Sequence, residues 1–365
     1  METSLNNRIS TTQVFFVIVQ TQIGISILTL PRDVYGAVEW EGWISIAIAG
    51  AVIQLVLLIY VPLVFRFKHH TFFTLTKITL GTPISVFINL GYFFYFISVS
   101  ILILILYYRT IAAWLLPVTP KWMIMLLIIS AAVYLVREDI HIIGRFYALV
   151  SGLLVIVIAV QFTGYTSANP LYLLPIGHVG IKDYIEGAQS SLQAMLGFEV
   201  LLFIYPFIQG AKKKVIQSVS LAIWFTVSLY IFTTVSVFLF FSPDEIELVP
   251  HPVLYMLKAY SSPFIDRLDL IFISIWIVSV TTSLIMYLYL VSLFTQVILP
   301  IKKRKTGVLF GGTLIFAISM FFESNESIDA FGEFVSKISY SFIFYIPAVL
   351  LIVALIRKKP ERGKE

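Results

Sequence analysis

The chain has 365 residues, 59% of them hydrophobic and only 12% charged, with a net charge of +5 and no cysteine. Soluble domains carry roughly 25% charged residues, so this composition excludes an ordinary soluble enzyme. The missing cysteine excludes disulfides, thiolate metal sites and cysteine nucleophiles. What remains is an all-α polytopic membrane protein.

The segment from Met1 to Ser10 is short and polar, with a single Arg8. The apolar run after it is too long for a signal-peptide core and lacks a small-residue cleavage site, so it is expected to stay. A membrane helix needs about 20 apolar residues. On that basis ten spans are predicted, over about 12–31, 43–65, 84–116, 121–136, 144–164, 185–208, 215–241, 268–299, 307–322 and 338–356. Most of the 25 lysines and arginines fall on alternate loops: Arg66, Lys68 and Lys77; Arg137 and Arg145; Lys212, Lys213 and Lys214; Lys302, Lys303, Arg304 and Lys305; and the tail over 357–365. Basic loops face the cytoplasm, so both termini and the basic tail are expected inside.

Ten spans divide into two blocks of five, and a second odd block must enter the membrane from the opposite side. The predicted architecture is therefore a 5+5 inverted repeat, about 12–164 and 185–356, within one integral membrane domain over 1–365. Such folds place their site near the midplane, at discontinuous helices in corresponding positions of each half. Span 1 contains Thr21-Gln22-Ile23-Gly24-Ile25-Ser26-Ile27-Leu28-Thr29-Leu30-Pro31, with a mid-span glycine, polar neighbours and a closing proline. Span 6 contains Gln189-Ser190-Ser191-Leu192-Gln193-Ala194-Met195-Leu196-Gly197-Phe198-Glu199-Val200, then Pro206. Both are expected to be broken helices, because loosened backbone at membrane depth is tolerated only around protein or a water-filled cavity.

Two stretches outside the spans complete the layout. Residues 69–82 read as an inner interfacial helix. Residues 242–266, with Pro243, Pro250, Pro252 and Pro263, form either a cover over an outer vestibule or a proline-clipped surface loop.

Glu199 is the only acidic residue within an apolar core. A charge at a span's centre costs roughly 2.5–3.5 kcal/mol, so the residue needs a cavity or a partner. It reads as a contact for a ligand amine or cation, as a proton-titrating group, or as a carboxyl hydrogen-bonded to a neighbouring helix. Ser279-Val280-Thr281-Thr282-Ser283 places hydroxyls near the middle of span 8, beside span 1 or bonded to their own backbone. Arg109, late in span 3, is expected to snorkel to the outer interface or, as the less favoured reading, to form a salt bridge with an acid of the vestibule. Tyr92 and Phe96, one turn apart on the same span, are candidates to wall a pocket.

Soluble-enzyme signatures are absent: there is neither a Walker lysine motif nor a dinucleotide glycine fingerprint. All five histidines fall in loops, and Glu138-Asp139-Ile140-His141 reads as a charged turn. The lysine runs are positive-inside anchors against the lipid bilayer, not nucleic-acid patches. No catalytic residue, metal or cofactor is expected.

Three stretches carry a resemblance. Ile23-Gly24-Ile25-Ser26-Ile27-Leu28-Thr29-Leu30-Pro31, Leu196-Gly197-Phe198-Glu199-Val200 before Pro206, and Arg267-Leu268-Asp269 leading to Trp276-Ile277 and Thr281-Thr282 together resemble the spore-germination permease-like proteins. These are the B subunits of nutrient germinant receptors, in the amino acid–polyamine–organocation superfamily. The resemblance implies a receptor in the inner membrane of a bacterial endospore. It would bind a small nutrient such as an amino acid and act with A and C subunits. It also implies a ligand held by the breaks in spans 1 and 6 and closed in by spans 3 and 8, at Thr21, Gly24, Ile25, Ser26, Tyr92, Phe96, Leu196, Gly197, Glu199, Thr281 and Thr282. The chain departs from the family where Gly24-Ile25-Ser26 stands in place of a common Gly-x-Gly, which narrows the site. It also lacks the span 5 lysine of proton-coupled relatives. The alternative function on the same fold is a proton-coupled secondary transporter of amino acids or similar solutes, using Glu199.

Overall fold

A computed structural model describes residues 8–260, 266–299, 301 and 303–357. Lys302 and the basic tail beyond Arg357 lie outside the described residues. The chain is almost wholly helical. Six helices are long and apolar enough to cross a membrane alone: Leu30–Arg66, Thr82–Trp114, Ile140–Ser167, Lys212–Phe240, Leu268–Ile298 and Asn325–Ile356. The pair Ile181–Ala194 and Phe198–Phe207 makes a seventh, bent by 56°. The other three expected spans are the broken first segment, which begins at Thr11, and two 16-residue helices, Lys121–Val136 and Arg304–Ser319. Sixteen residues rise only about 24 Å, short of the roughly 30 Å hydrocarbon layer.

Two boundaries differ from the sequence reading for local reasons. Span 1 does not close at Pro31. The proline sits in the first turn of a new helix, Leu30–Val38, where its missing N–H costs nothing. Span 10 begins at Asn325 rather than near 338, because Ser324 caps it by accepting from Ser327 N. It carries a π turn at Ser341–Tyr345, whose Phe342 and Ile343 carbonyls accept Tyr92 and Tyr60 hydroxyls at 2.7 and 2.8 Å.

Span 8 packs along span 3, span 1 against span 7, and the outer half of span 6 against span 2. A short parallel ladder pairs Ile9 with Ile208 and Ser10 with Gln209, joining spans 1 and 6 at their ends on the side of the basic loops, their inner ends. Within the stretch 69–82 the chain forms the helix Phe72–Leu80, on the side of the basic loops. Over residues 242–260 the chain forms a cover: helix Pro252–Ala259 buries Val253, Leu254, Met256 and Leu257 and rests on spans 7 and 8 and the broken part of span 1. Residues 261–265 of that loop lie outside the described set.

Candidate functional site

Helix Thr11–Gln22 stops where Gly24 takes φ −135°, ψ −131°, and a single tight turn, Ile25–Leu28, precedes the outer half. A broken helix leaves carbonyls without partners, and each must be satisfied at membrane depth. Here other spans supply the donors. Trp276 Nε1 donates to Gly24 O at 3.1 Å, Tyr230 Oη to Gln22 O at 2.9 Å, and Ser283 Oγ to Thr21 O at 3.0 Å. Thr282 Oγ1 lies 3.1 Å from Gln20 O and 3.0 Å from Gln20 Oε1.

Span 6 solves the same problem from within. Gly197 adopts φ +127°, and a Cβ there would meet Thr21 C and Gln22 N at 2.8 and 2.9 Å. Glycine is therefore required both by the left-handed backbone and by the other broken helix crossing directly against it. Glu199 then folds back on its own turn: Oε2 accepts Gly197 N at 2.7 Å, while Oε1 accepts Tyr287 Oη at 2.7 Å and Tyr95 Oη at 3.4 Å. The carboxyl group thus caps the first turn of the inner half-helix by accepting its backbone N–H and ties spans 3, 6 and 8 together. Gln22 Nε2 completes the join between the breaks by donating to Met195 O at 2.9 Å.

A cavity of about 1140 Å³ opens from this junction toward the side opposite the basic loops. Its floor has Ile25 and Ser26 from span 1, Leu196 and Gln193 from span 6, Leu102 from span 3 and Ser336 from span 10. Its rim carries Arg32, Asp33, Arg109, Asp329, His251 and Lys258. Burial, then the charges of Arg109 and Arg32, pushes His251 down to about 4, so this ring is neutral at neutral pH.

Of the residues expected at the site, Ile25, Ser26 and Leu196 line this cavity. Thr21, Gly24, Gly197, Glu199 and Thr282 form the buried junction below it. The Thr281 hydroxyl donates back to Ile277 O at 2.7 Å. Tyr92 and Phe96 lie deeper, in an aromatic cluster with Phe72, Phe203, Phe294 and Phe342. Phe72 and Phe203 also line a second cavity of about 600 Å³, with His69, His70 and Gln296, on the side of the basic loops. The aromatic cluster thus separates the two cavities. Arg109 does not snorkel away: its Nη1 donates to Asp329 Oδ1 at 3.0 Å inside the vestibule mouth. Among the described residues no three His, Asp or Glu side chains gather closely enough to hold a metal ion.

Sequence reasoning missed Tyr230, Tyr95 and Tyr287 as parts of the junction, and named Gln22 only as a polar neighbour of the span 1 break. Gln22 was legible as an amide at span depth, where a polar side chain needs a partner. The tyrosines were not, because 19 of them are spread over the chain.

A family model described as spore germination protein matches residues 8–327. The chain belongs to the spore germination protein family. It is 23% identical to spore germination protein GerQB of Bacillus cereus, over 94% of this chain and 95% of that protein. It is 22% identical to spore germination protein B2 of Bacillus subtilis (strain 168), over 96% of each. Among solved structures it resembles a substrate-bound, outward-open Na+-coupled sialic acid symporter, with a TM-score of 0.71, 12% identity, and coverage of 94% of this chain and 79% of the symporter. It also resembles a nucleobase-cation-symport-1 family transporter in a closed conformation, with a TM-score of 0.69, 14% identity, and coverage of 97% and 80%. These likenesses establish the transporter fold, a 5+5 inverted repeat with spans 1 and 6 broken.

Proposed function

We propose that this chain is the nutrient-sensing B-type subunit of a spore germinant receptor, and that it binds a small molecule such as an amino acid at the vestibule floor. The observation that carries this reading is the convergence of both helix breaks on one outward-facing cavity, with Ile25, Ser26 and Leu196 at its base. Binding there bears on spans 1 and 6 together, which is what a sensor needs to convert occupancy into a change of shape. In this reading the repeats span about 12–164 and 185–356, both termini face the cytoplasm, and the membrane is the endospore inner membrane. Receptor A and C subunits would carry the signal onward.

A second reading, a proton-coupled secondary transporter, draws on the cavity beyond the aromatic cluster, since alternating access needs a vestibule on each side. Gly24→Leu tests the site: a Cβ at Gly24 would already stand 3.0 Å from Ser283 Oγ, so a leucine displaces the break. The variant should insert normally and lose the nutrient response; an unchanged response would remove span 1 from the site. Uptake by the reconstituted chain alone separates the two functions. Saturable accumulation of a labelled amino acid would sink the pure sensing reading, and binding without accumulation would sink the transporter.

A further inference from the structure

A ligand on the vestibule floor needs a partner for its polar end. The floor itself is uncharged: Ile25, Leu102, Leu196 and Val335 are apolar, and Ser26, Gln193 and Ser336 are neutral. An ion set there would be stripped of water without a counter-charge. Charge begins higher up. Leu102, Leu106 and Arg109 follow one face of span 3 at helical spacing, while Ser336, Gly332 and Asp329 follow one face of span 10. Seven residues of helix raise Arg109 about 10 Å above Leu102.

Several charged contacts lie around the cavity. Arg267 is held by Asp269 two residues away, through Nε at 2.9 Å and Nη2 at 2.8 Å. Glu333 meets Lys337 one turn along the same helix at 3.3 Å. Lys258 stands over the Trp114 ring at 5.6 Å. Arg109 and Asp329 instead reach each other across the cavity mouth, from span 3 to span 10, through one contact at 3.0 Å. Their side chains are 36% and 67% exposed, so water screens the pair and little is lost when it parts. The guanidinium fork keeps further donors suited to a carboxylate.

We propose that Arg109 and Asp329 read the ligand's head group: the guanidinium takes a carboxylate and Asp329 takes an ammonium, so the vestibule selects zwitterions whose side chain points down to Leu102, Leu196 and Val335. This rests on the floor reading of the proposed function. On binding, the ligand's two charges replace the cross-cavity pair, and the mouth between spans 3 and 10 is bridged through the ligand.

The test is equilibrium binding to the purified full chain, using the common L-amino acids, their amides and their N-acetyl forms, with glucose as an uncharged nutrient. For each amino acid that binds, the amide and the N-acetyl form should each bind at least about tenfold more weakly. Arg109→Gln should erase the preference for acid over amide, and Asp329→Asn the preference for free amine over N-acetyl. A pair that only clasps the two spans would shift all three forms equally, and that result overturns the proposal. So does binding of glucose with no amino acid bound, or of every form with equal affinity. If Ser26→Phe leaves the affinity of every bound probe unchanged, the floor reading itself fails, whatever the head group.

Discussion

The two helix breaks face the same problem and solve it differently. Span 1 borrows its donors from elsewhere: Trp276, Tyr230 and Ser283 come from spans 7 and 8. Span 6 carries its own solution, with Glu199 capping the turn that Gly197 begins. The inner ends of both are then joined by the Ile9–Ile208 ladder. The difference is one of dependence: the break in span 1 relies on side chains of other helices, and the break in span 6 relies on a side chain of its own turn. The Thr21 and Gln22 carbonyls, at the end of the inner helix of span 1, are each held by one donor from another span, whereas the turn that opens the inner half of span 6 is held by one carboxyl group with three donors.

The largest effect should come from Gly197→Ala. It strains a φ of +127° and drives a Cβ into the Thr21–Gln22 backbone, a combined loss of about 2–5 kcal/mol. Gly24→Ala meets only Ser283 Oγ at 3.0 Å with a negative φ, so its loss should be near 1 kcal/mol or less, about the scale of a hydrogen bond that must shift. Thermal unfolding in detergent measures both. Equal losses would mean that the two breaks do not touch at Gly197.

A second contrast tests who satisfies each break. Glu199→Gln puts an amide NH2 where one of the two accepting oxygens stood, leaving Gly197 N or the tyrosine hydroxyls without an acceptor, and should cost about 1–3 kcal/mol. Trp276→Phe removes one neutral donor from Gly24 O and should cost about 0.5–1.5 kcal/mol. Ligand affinity should survive Glu199→Gln at every pH, because the carboxyl lies below the cavity. A pH-dependent loss of binding in wild type that vanishes in Glu199→Gln would restore it to a titrating role.

The smallest effect concerns the outer end of span 6. Glu41, buried where span 2 begins, accepts Tyr184 Oη and the Gly177 and His178 amides, while the His178 ring reaches Glu39 at 3.1 Å and Glu41 at 2.7 Å. The hydrogen bond to Glu39 and the charges of both glutamates raise the His178 pKa above its usual value. A raised histidine pKa stabilises the fold fully below about pH 6.5, and the gain is lost as pH rises through the folded value. Unfolding midpoints of wild type and His178→Gln should therefore differ most in acid and converge as pH rises. A constant difference would show that the ring acts only through packing.

Much of this was legible in the sequence, for identifiable reasons. Gly24, Ser26 and Gly197 stand out because membrane helices have little tolerance for such residues without a use for them. Glu199 stands out because a mid-membrane carboxyl is costly. Its partners were hidden, since Tyr95 and Tyr287 lie far away in sequence and tyrosine is common here. Pro31 misled because a proline marks a helix boundary without saying which side the helix is on. For Arg109 the salt bridge was the less favoured of two readings, because its partner Asp329 lies 220 residues away in the chain.

A small ligand held where the two breaks meet the vestibule would depend on the floor residues for its affinity. Ser26→Phe and Leu196→Phe fill that floor without touching the Glu199 cap or the Trp276 bond. Equilibrium binding of amino acids to the wild-type chain and both variants is the most direct test. Both variants should lose binding while their unliganded unfolding midpoints stay close to wild type. Undiminished affinity in both, with the fold intact, would contradict the account.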